Sequence, residues 1–348
     1  MEQALDIVRL LAISHLVIIG LLLFKSYPKH QITWVTVAFL WSLIGYLGVE
    51  IIDWSSKPEE PHVAILIVAS SFPYMFWMMS KAYFDDEFTL KSWMGILLVG
   101  IFITLLLLFF GLRPYFSPDS IIVDLINLVP YFLSLTFLIL GIIEAARNYS
   151  ADLLVSRHKF RLVFMVGVSI LMALTIITEI SFEHQTPLAL DLIQKSTILA
   201  LIYYFSYDLL QFKAAFFEDT ATANAPKATT PTTTIDPQMI KLLMNLMDEQ
   251  KIYRTEGLTI RVLAEQMQIK EYKLRRAINQ HLGFRNFNAF LNAYRIDEAK
   301  SILSDKSKHQ LTILEIAYDL GYASLAPFNK AFKKNTGMTP SEYRSNLV

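Results

Sequence analysis

The sequence predicts an all-α protein in two parts: an N-terminal seven-helix transmembrane bundle, then a C-terminal, all-helical domain built on two repeated helix pairs. Three observations predict it. Seven apolar runs crowd the first 215 residues, at about 5–24, 32–52, 62–80, 92–111, 121–142, 160–178 and 190–211. Most are near the roughly 20 residues that a helix needs to cross the hydrocarbon layer. The formal charge of zero divides into unlike halves, with 13 Lys and Arg against 18 Asp and Glu up to Glu218 and 18 against 13 from Asp219 onward. Beyond Pro237, apolar residues recur at helical spacing with polar residues between them, the pattern of short soluble helices.

The first part justifies the membrane reading by what it lacks. Polar breaks such as Lys25-Ser-Tyr-Pro-Lys-His30 are short, and the runs between them keep almost no polar face to meet water. Met1 to Arg9 carries Glu2 and Asp6 in place of a basic leader, so the first run is expected to stay as a membrane helix. With the N-terminus outside, the inner loops hold Lys25, Lys29, Lys81, Lys91, Arg147, Arg157, Lys159, Arg161 and Lys213. The outer segments hold only Arg9, Lys57, Arg113 and Lys195. Positive charge inside therefore predicts a multi-pass inner (cytoplasmic) membrane protein with its C-terminal domain in the cytoplasm.

Polar groups within the spans are the candidates for receiving a signal. They are His15, Glu50, Asp53, Asp124, Asn127 and Glu179, since ionisable groups at depth usually face a bundle interior or a wet cavity. Convergence of Glu50, Asp124 and Glu179 would make an outward acidic site for a cation or an amine, while hydrogen bonding between helices is the plainer fate for His15, Asp124 and Asn127. Pro73 and Pro130 interrupt the third and fifth runs and are candidate kinks.

These features divide the chain into a transmembrane domain at 1–215, a linker at 219–236 rich in Thr, Ala and Pro, and a helical domain at 237–348. A disordered linker of that length spans on the order of 20–25 Å, so the last domain would stay near the membrane. Within it the sequence predicts helices over 238–251, from the cap Thr259, over 271–281, over 287–303, from Thr312 to Leu320, from Ser324 to Asn335, and a short one after Pro340. Gly283, Gly321 and Gly337 stand at helix ends. Two helix-turn-helix patterns repeat about 53 residues apart, Leu258 matching Leu311 and Ala264 matching Ala317. The small alanine lets a second helix cross closely and leaves that helix free for a major groove.

The residues Ile316-Ala317, Gly321-Tyr322, Phe328-x-x-x-Phe332-Lys333 and Gly337-x-x-Pro340-x-x-Tyr343-Arg344, with Tyr294-Arg295-Ile296-x-x-Ala299 before them, resemble the AraC/XylS family of bacterial transcription regulators. The resemblance covers roughly 238–345. Lys270 departs from it, standing where the family often has a capping Ser or Thr. The resemblance implies double-stranded promoter DNA as partner, two recognition helices in successive major grooves and contact with RNA polymerase, while the short tether to the membrane favours pairing of the DNA-binding domains in a homodimer. Carried onto this sequence, the first recognition helix offers Glu271, Tyr272, Arg275, Arg276 and Asn279, and the second Ser324, Leu325, Asn329, Lys330 and Lys333. Arg276 and Lys330 fill the basic slot of each helix, suited to phosphate. Arg275, Arg276, Asn279 and Asn329 are the better candidates for base edges, because arginine and asparagine make bidentate pairs with guanine and adenine.

An enzyme is not expected. The chain has no cysteine, no Gly-rich phosphate loop and no His-Glu-x-x-His motif, and no cofactor or metal is anticipated. What remains is a one-component membrane sensor that controls promoter binding, a DNA-binding chain passively anchored in the lipid bilayer and governed by a partner membrane protein, or a transporter-like protein with a regulatory tail. In the first case an unknown ligand is the signal.

Overall fold

Backbone amides away from water must pair within their own segment, which for an apolar run means a helix. The structure, a computed structural model, describes residues 2–49, 51, 60–86, 88–117, 119–147, 149–154, 160–182, 186–211 and 236–346, with only the backbone at 60–64, 165, 179, 180 and 208–211. Among these residues every regular element is helical, apart from one isolated antiparallel bridge. The chain divides into two units, one of Met1–Arg147 and Lys159–Ala223, the other of Asn148–His158 and Asn224–Val348.

The first unit contains α1 (Glu2–Ser26), α2 (Gln31–Val49), α3 (Glu60–Ser70), α4 (Phe72–Phe84), α5 (Ser92–Leu106), α6 (Ile121–Ala146), α7 (Ser169–Ser181) and α8 (Leu188–Gln211). A π-helical segment extends α5 and another precedes α7. Six of the helices, with these extensions, are long and apolar enough to cross a membrane. The expected seventh is the third apolar run, which is divided at Ser71 into α3 and α4. Pro73 falls in the first turn of α4 and has no N–H to continue the ladder. Pro130, by contrast, lies inside an unbroken α6.

Packing follows the apolar faces. Tyr74, Phe76, Trp77, Met78 and Met79 of α4 are all buried, so α4 is covered around its whole circumference. Gly141 of α6 faces it, where a Cβ would run into the Phe76 ring. Only Met94 is buried on α5, and Ile96, Val99 and Ile103 are exposed, as are Leu10, Ile18 and Leu21 of α1. An apolar exterior of this extent suits lipid and not water. α1 and α8 run parallel, since Arg9 meets Asp191 while His15 meets Ser206 further along both helices.

The second unit contains α9 (Pro237–Asp248), α10 (Ile260–Gln266), α11 (Glu271–Arg276), α12 (Phe287–Ser304), α13 (Ile313–Asp319), α14 (Leu325–Thr336) and α15 (Pro340–Ser345). α12 is shared by two cores. Phe287, Phe290 and Leu291 at its start pack with Leu263, Leu274 and Ile278, whereas Ile296, Ala299 and Leu303 pack with Ile316, Phe328 and Phe332.

Caps set the boundaries of these helices. Thr259 Oγ1 accepts from the Val262 N–H, and Thr312 and Thr339 each form a reciprocal capping box with Glu315 and Glu342. Ser324 occupies the N-cap of α14, but its hydroxyl makes no capping bond there. The first helix of this unit stops at Asp248, short of the expected Lys251, because Lys251 is left-handed at φ 48°.

Candidate functional site

The two helix pairs close by the same turn. Ile269 N–H donates to Ala264 O and Tyr322 N–H to Ala317 O, both at 3.0 Å, with Gln268 (φ 53°) and Gly321 (φ 80°) left-handed in equivalent places. Ala264 and Ala317 are buried at the crossings. After the turn the repeat lengthens by one residue, since α11 begins at Glu271 and α14 at Leu325. Leu274 and Ile278 then correspond to Phe328 and Phe332, all fully buried. In the same register Arg275 corresponds to Asn329 and Arg276 to Lys330.

The candidate DNA-facing side chains differ in what they have free. Tyr272 is exposed, and so are Ser324, Lys330 and Lys333, with Leu325 partly buried against the second core. Arg276 is half-buried and donates from Nε to Gln280 Oε1 at 2.7 Å. Asn279 donates from Nδ2 to the Phe284 carbonyl at 3.0 Å, closing the turn at Gly283, which uses one of its two amide N–H groups. Asn329 Oδ1 is buried and accepts no hydrogen bond among the described residues. Arg275 pairs with Glu271 and donates to the carbonyls of Ser150 and Asp152, the former at 2.7 Å.

Two residues that sequence reasoning did not assign to the interface hold the helix pairs in place. Arg295, which the sequence offers only within the family resemblance, is buried and donates to Tyr253 O (2.6 Å) and Thr255 O (3.1 Å), with its guanidinium 5.0 Å from the centre of the Tyr322 ring. Glu298, one turn on, accepts from Lys251 Nζ (2.5 Å), Tyr253 OH (2.9 Å) and Arg254 Nε (2.8 Å). Burial works against its charge, but the bonds from Arg254, Lys251 and Tyr253 outweigh that and hold its carboxyl at about 2. Burial, together with the bond to Glu298, pushes the Tyr253 phenol up to about 12.

In the first unit a cavity of about 1130 Å³ opens among the helices, lined mainly by apolar side chains such as Phe39, Leu43 and Phe137. Its polar lining includes Arg9, Asp191 and Lys195. Asp191 lies 2.9 Å from Arg9 Nη2 and 3.4 Å from Lys195 Nζ, and both cations are buried. Tyr46 adds its ring, 4.8 Å from Lys195 Nζ. Of the residues singled out by sequence, Asn127 lines this cavity. Asp124 is exposed in the first turn of α6 and does not line it. His15 Nε2 lies 3.0 Å from Ser206 Oγ, between α1 and α8. Glu179 lies in the last turns of α7, and its side chain, with Glu50, Asp53 and the linker up to residue 235, lies outside what the structure describes. The readable signal for the missed cluster was Asp191 and Lys195 one helical turn apart inside an apolar run.

A helix-turn-helix domain family matches residues 263–346. PqrA of Proteus vulgaris, named a probable transcription factor, is 30% identical over 98 residues, which cover 28% of this chain and 77% of that protein. YijO of Escherichia coli K12, an uncharacterized HTH-type transcriptional regulator, is 37% identical over 65 residues, 19% of this chain and 22% of its own length. Several uncharacterized HTH-type regulators of Staphylococcus aureus are 33% identical over 99 residues, of which this chain spans 13% of their length. The solved C-terminal domain of AraT, a response regulator from Geobacillus stearothermophilus, is 31% identical, with 33% of this chain and 88% of that one covered at a TM-score of 0.28. The similarity to PqrA spans most of that protein, the family model runs from within α10 through α15, and this chain belongs to the AraC-type helix-turn-helix family of transcription regulators.

Proposed function

We propose that the chain is a membrane-embedded one-component regulator, whose first unit is anchored in the inner membrane and receives a signal and whose second unit binds promoter DNA sequence-specifically in the cytoplasm. The observation that carries this reading is the union, in one chain, of two helix pairs with basic second helices and six helices long enough to cross a bilayer. The parallel run of α1 and α8 supports an odd number of crossings, and α3 and α4 taken together as one kinked crossing would make seven. Arg276, Lys330 and Lys333 serve phosphates, while Arg275 and Asn329 serve base edges. Pairing of two tethered domains in a homodimer raises their effective concentration on a promoter, where RNA polymerase is the next partner.

The signal is a molecule that partitions into the bilayer, because the cavity is mainly apolar with a buried polar group at Arg9, Asp191 and Lys195. Sensing by this chain itself is favoured over passive anchoring by that cavity, since an anchor needs only one span.

The test is genome-wide promoter occupancy by the full-length protein in its native membrane, beside an Arg276→Ala/Lys330→Ala variant. Discrete peaks that vanish in the variant are expected. A peak pattern that is unchanged, or absent under all growth conditions, would reject the DNA-binding assignment. Filling the cavity with Leu43→Trp should make occupancy insensitive to growth conditions, and a normal response in that variant would reject the cavity as the receiving site.

A further inference from the structure

Residues 149–154 stand in sequence between α6 and α7, yet they fold as part of the second unit. Leu153 is 1% exposed in the first core, beside Leu274 and Phe287, and Ala151 packs against the same core. The backbone is paired as well. Leu153 N–H donates to Arg285 O at 3.1 Å and Phe287 N–H to Ala151 O at 2.8 Å, on either side of an antiparallel bridge between Asp152 and Asn286. Asn286 is the N-cap of α12, so the segment supplies an acceptor to one of the helix donors that otherwise has no partner within the helix. The third element of this docking is Arg275 on α11, whose guanidinium meets the carbonyls of Ser150 and Asp152 and the carboxylate of Glu271, leaving its side chain 11% exposed.

An arginine so engaged cannot also reach a guanine edge, which requires both terminal nitrogens free and forward. We infer that residues 149–154 are a built-in competitor of DNA: docked on the first helix-turn-helix, they withhold Arg275, and their withdrawal frees it. The inference rests on the DNA-binding reading of α11. In sequence the segment lies between α6 and α7 of the first unit, a covalent link to that unit separate from the linker before α9. Release of this kind raises apparent affinity by the reciprocal of the undocked fraction.

The geometry offers a lock. The bonds on either side of the bridge make Asp152 and Asn286 a non-hydrogen-bonded antiparallel pair, whose Cα atoms lie about 4.5 Å apart and accept a disulfide. The chain has no cysteine to interfere. Full-length Asp152→Cys/Asn286→Cys protein in lipid nanodiscs is titrated, oxidised and reduced, against a labelled duplex cut from the strongest promoter peak. The disulfide should form, and the oxidised protein should bind roughly tenfold or more weakly than the reduced protein. Leu153→Ala should move the other way and bind more tightly than the unaltered chain, which a merely destabilised domain would not do. Equal affinity of the oxidised and reduced proteins, failure of the disulfide to form, or weaker binding by Leu153→Ala would overturn the competition. Loss of binding by the unaltered chain as well would overturn the DNA-binding reading beneath it.

Discussion

Arg295 stacks on Tyr322 at 5.0 Å while its guanidinium holds the carbonyl oxygens of Tyr253 and Thr255. One side chain on the shared helix α12 therefore ties the end of the first core to the turn of the second. Replacing it by alanine takes the donor from Tyr253 O, leaves Thr255 O only the Leu258 N–H at 3.4 Å, and should cost roughly 2–4 kcal/mol. Lysine should not restore the loss, since a single ammonium cannot span both oxygens and cover the ring. Hydrogen exchange of the full-length protein in detergent, read by mass spectrometry over 287–322, checks this. Unchanged protection in Arg295→Ala would show that the tie carries no stability.

Glu298 makes the second unit acid-sensitive. Its folded carboxyl, held at about 2, lies below the ordinary 4.5. A depressed carboxylate contributes stability that is present above the unfolded value and lost as pH falls from about 4.5 toward 2. The half-exposed Lys251 and Arg254 screen the effect, so the contribution is on the order of 2 kcal/mol. Exchange over 251–254 and 287–304 should rise across that window in the unaltered protein. In Glu298→Gln it should already be raised at neutral pH and change little on acidification.

The two left-handed turn residues should respond oppositely to substitution. Gln268 is a non-glycine at φ 53°, and Gln268→Gly should be neutral or stabilise by about 0.5 kcal/mol. At Gly321 a Cβ would collide with the Arg254 carbonyl, so Gly321→Ala should destabilise by about 2 kcal/mol or more. Thermal unfolding followed by exchange of the adjoining helices decides it. Equal tolerance at both sites would contradict the close approach of Gly321 to Arg254.

The basic face of the second recognition helix divides into two kinds of effect. Lys330→Ala should weaken all duplexes alike and reduce the slope of log affinity against log salt by roughly 0.9. Asn329→Ala should instead relax preference at one base pair, by about 1–3 kcal/mol in discrimination. Titrations of the full-length protein at several salt concentrations, on a promoter duplex and its single-base variants, separate them. A uniform loss for Asn329→Ala would remove it from the base-reading set.

Much of this protein is readable from residue order alone because the signals are local. Apolar length gives membrane-sized helices, and Thr259, Thr312, Gly283 and Gly337 mark helix ends by their own backbone chemistry. The paired alanines, Ala264 and Ala317, announce the crossings, and the stretch from Ile316 to Arg344 carries the family resemblance. Pro73 was legible as a disturbance, but not that α3 and α4 would be separate helices while Pro130 leaves α6 whole.

Long-range pairing was not legible. Nothing local names the partners of Arg295, and its role comes from carbonyls about 40 residues earlier and a ring 27 residues later. Arg9 and Lys195 read as outer loop charges until Asp191 joins them beside a cavity. Residues 149–154 read as a short polar break, and only the fold sets Leu153 into the core of a domain that begins almost 90 residues later. Residue order alone dictates the helical class, the apolar bundle and the two helix pairs, since propensity, caps and hydrophobic period act within a few residues. Which charges are buried, which arginine is free for DNA and which strand docks beside it were decided by tertiary structure, because each depends on groups that only packing brings within hydrogen-bond reach.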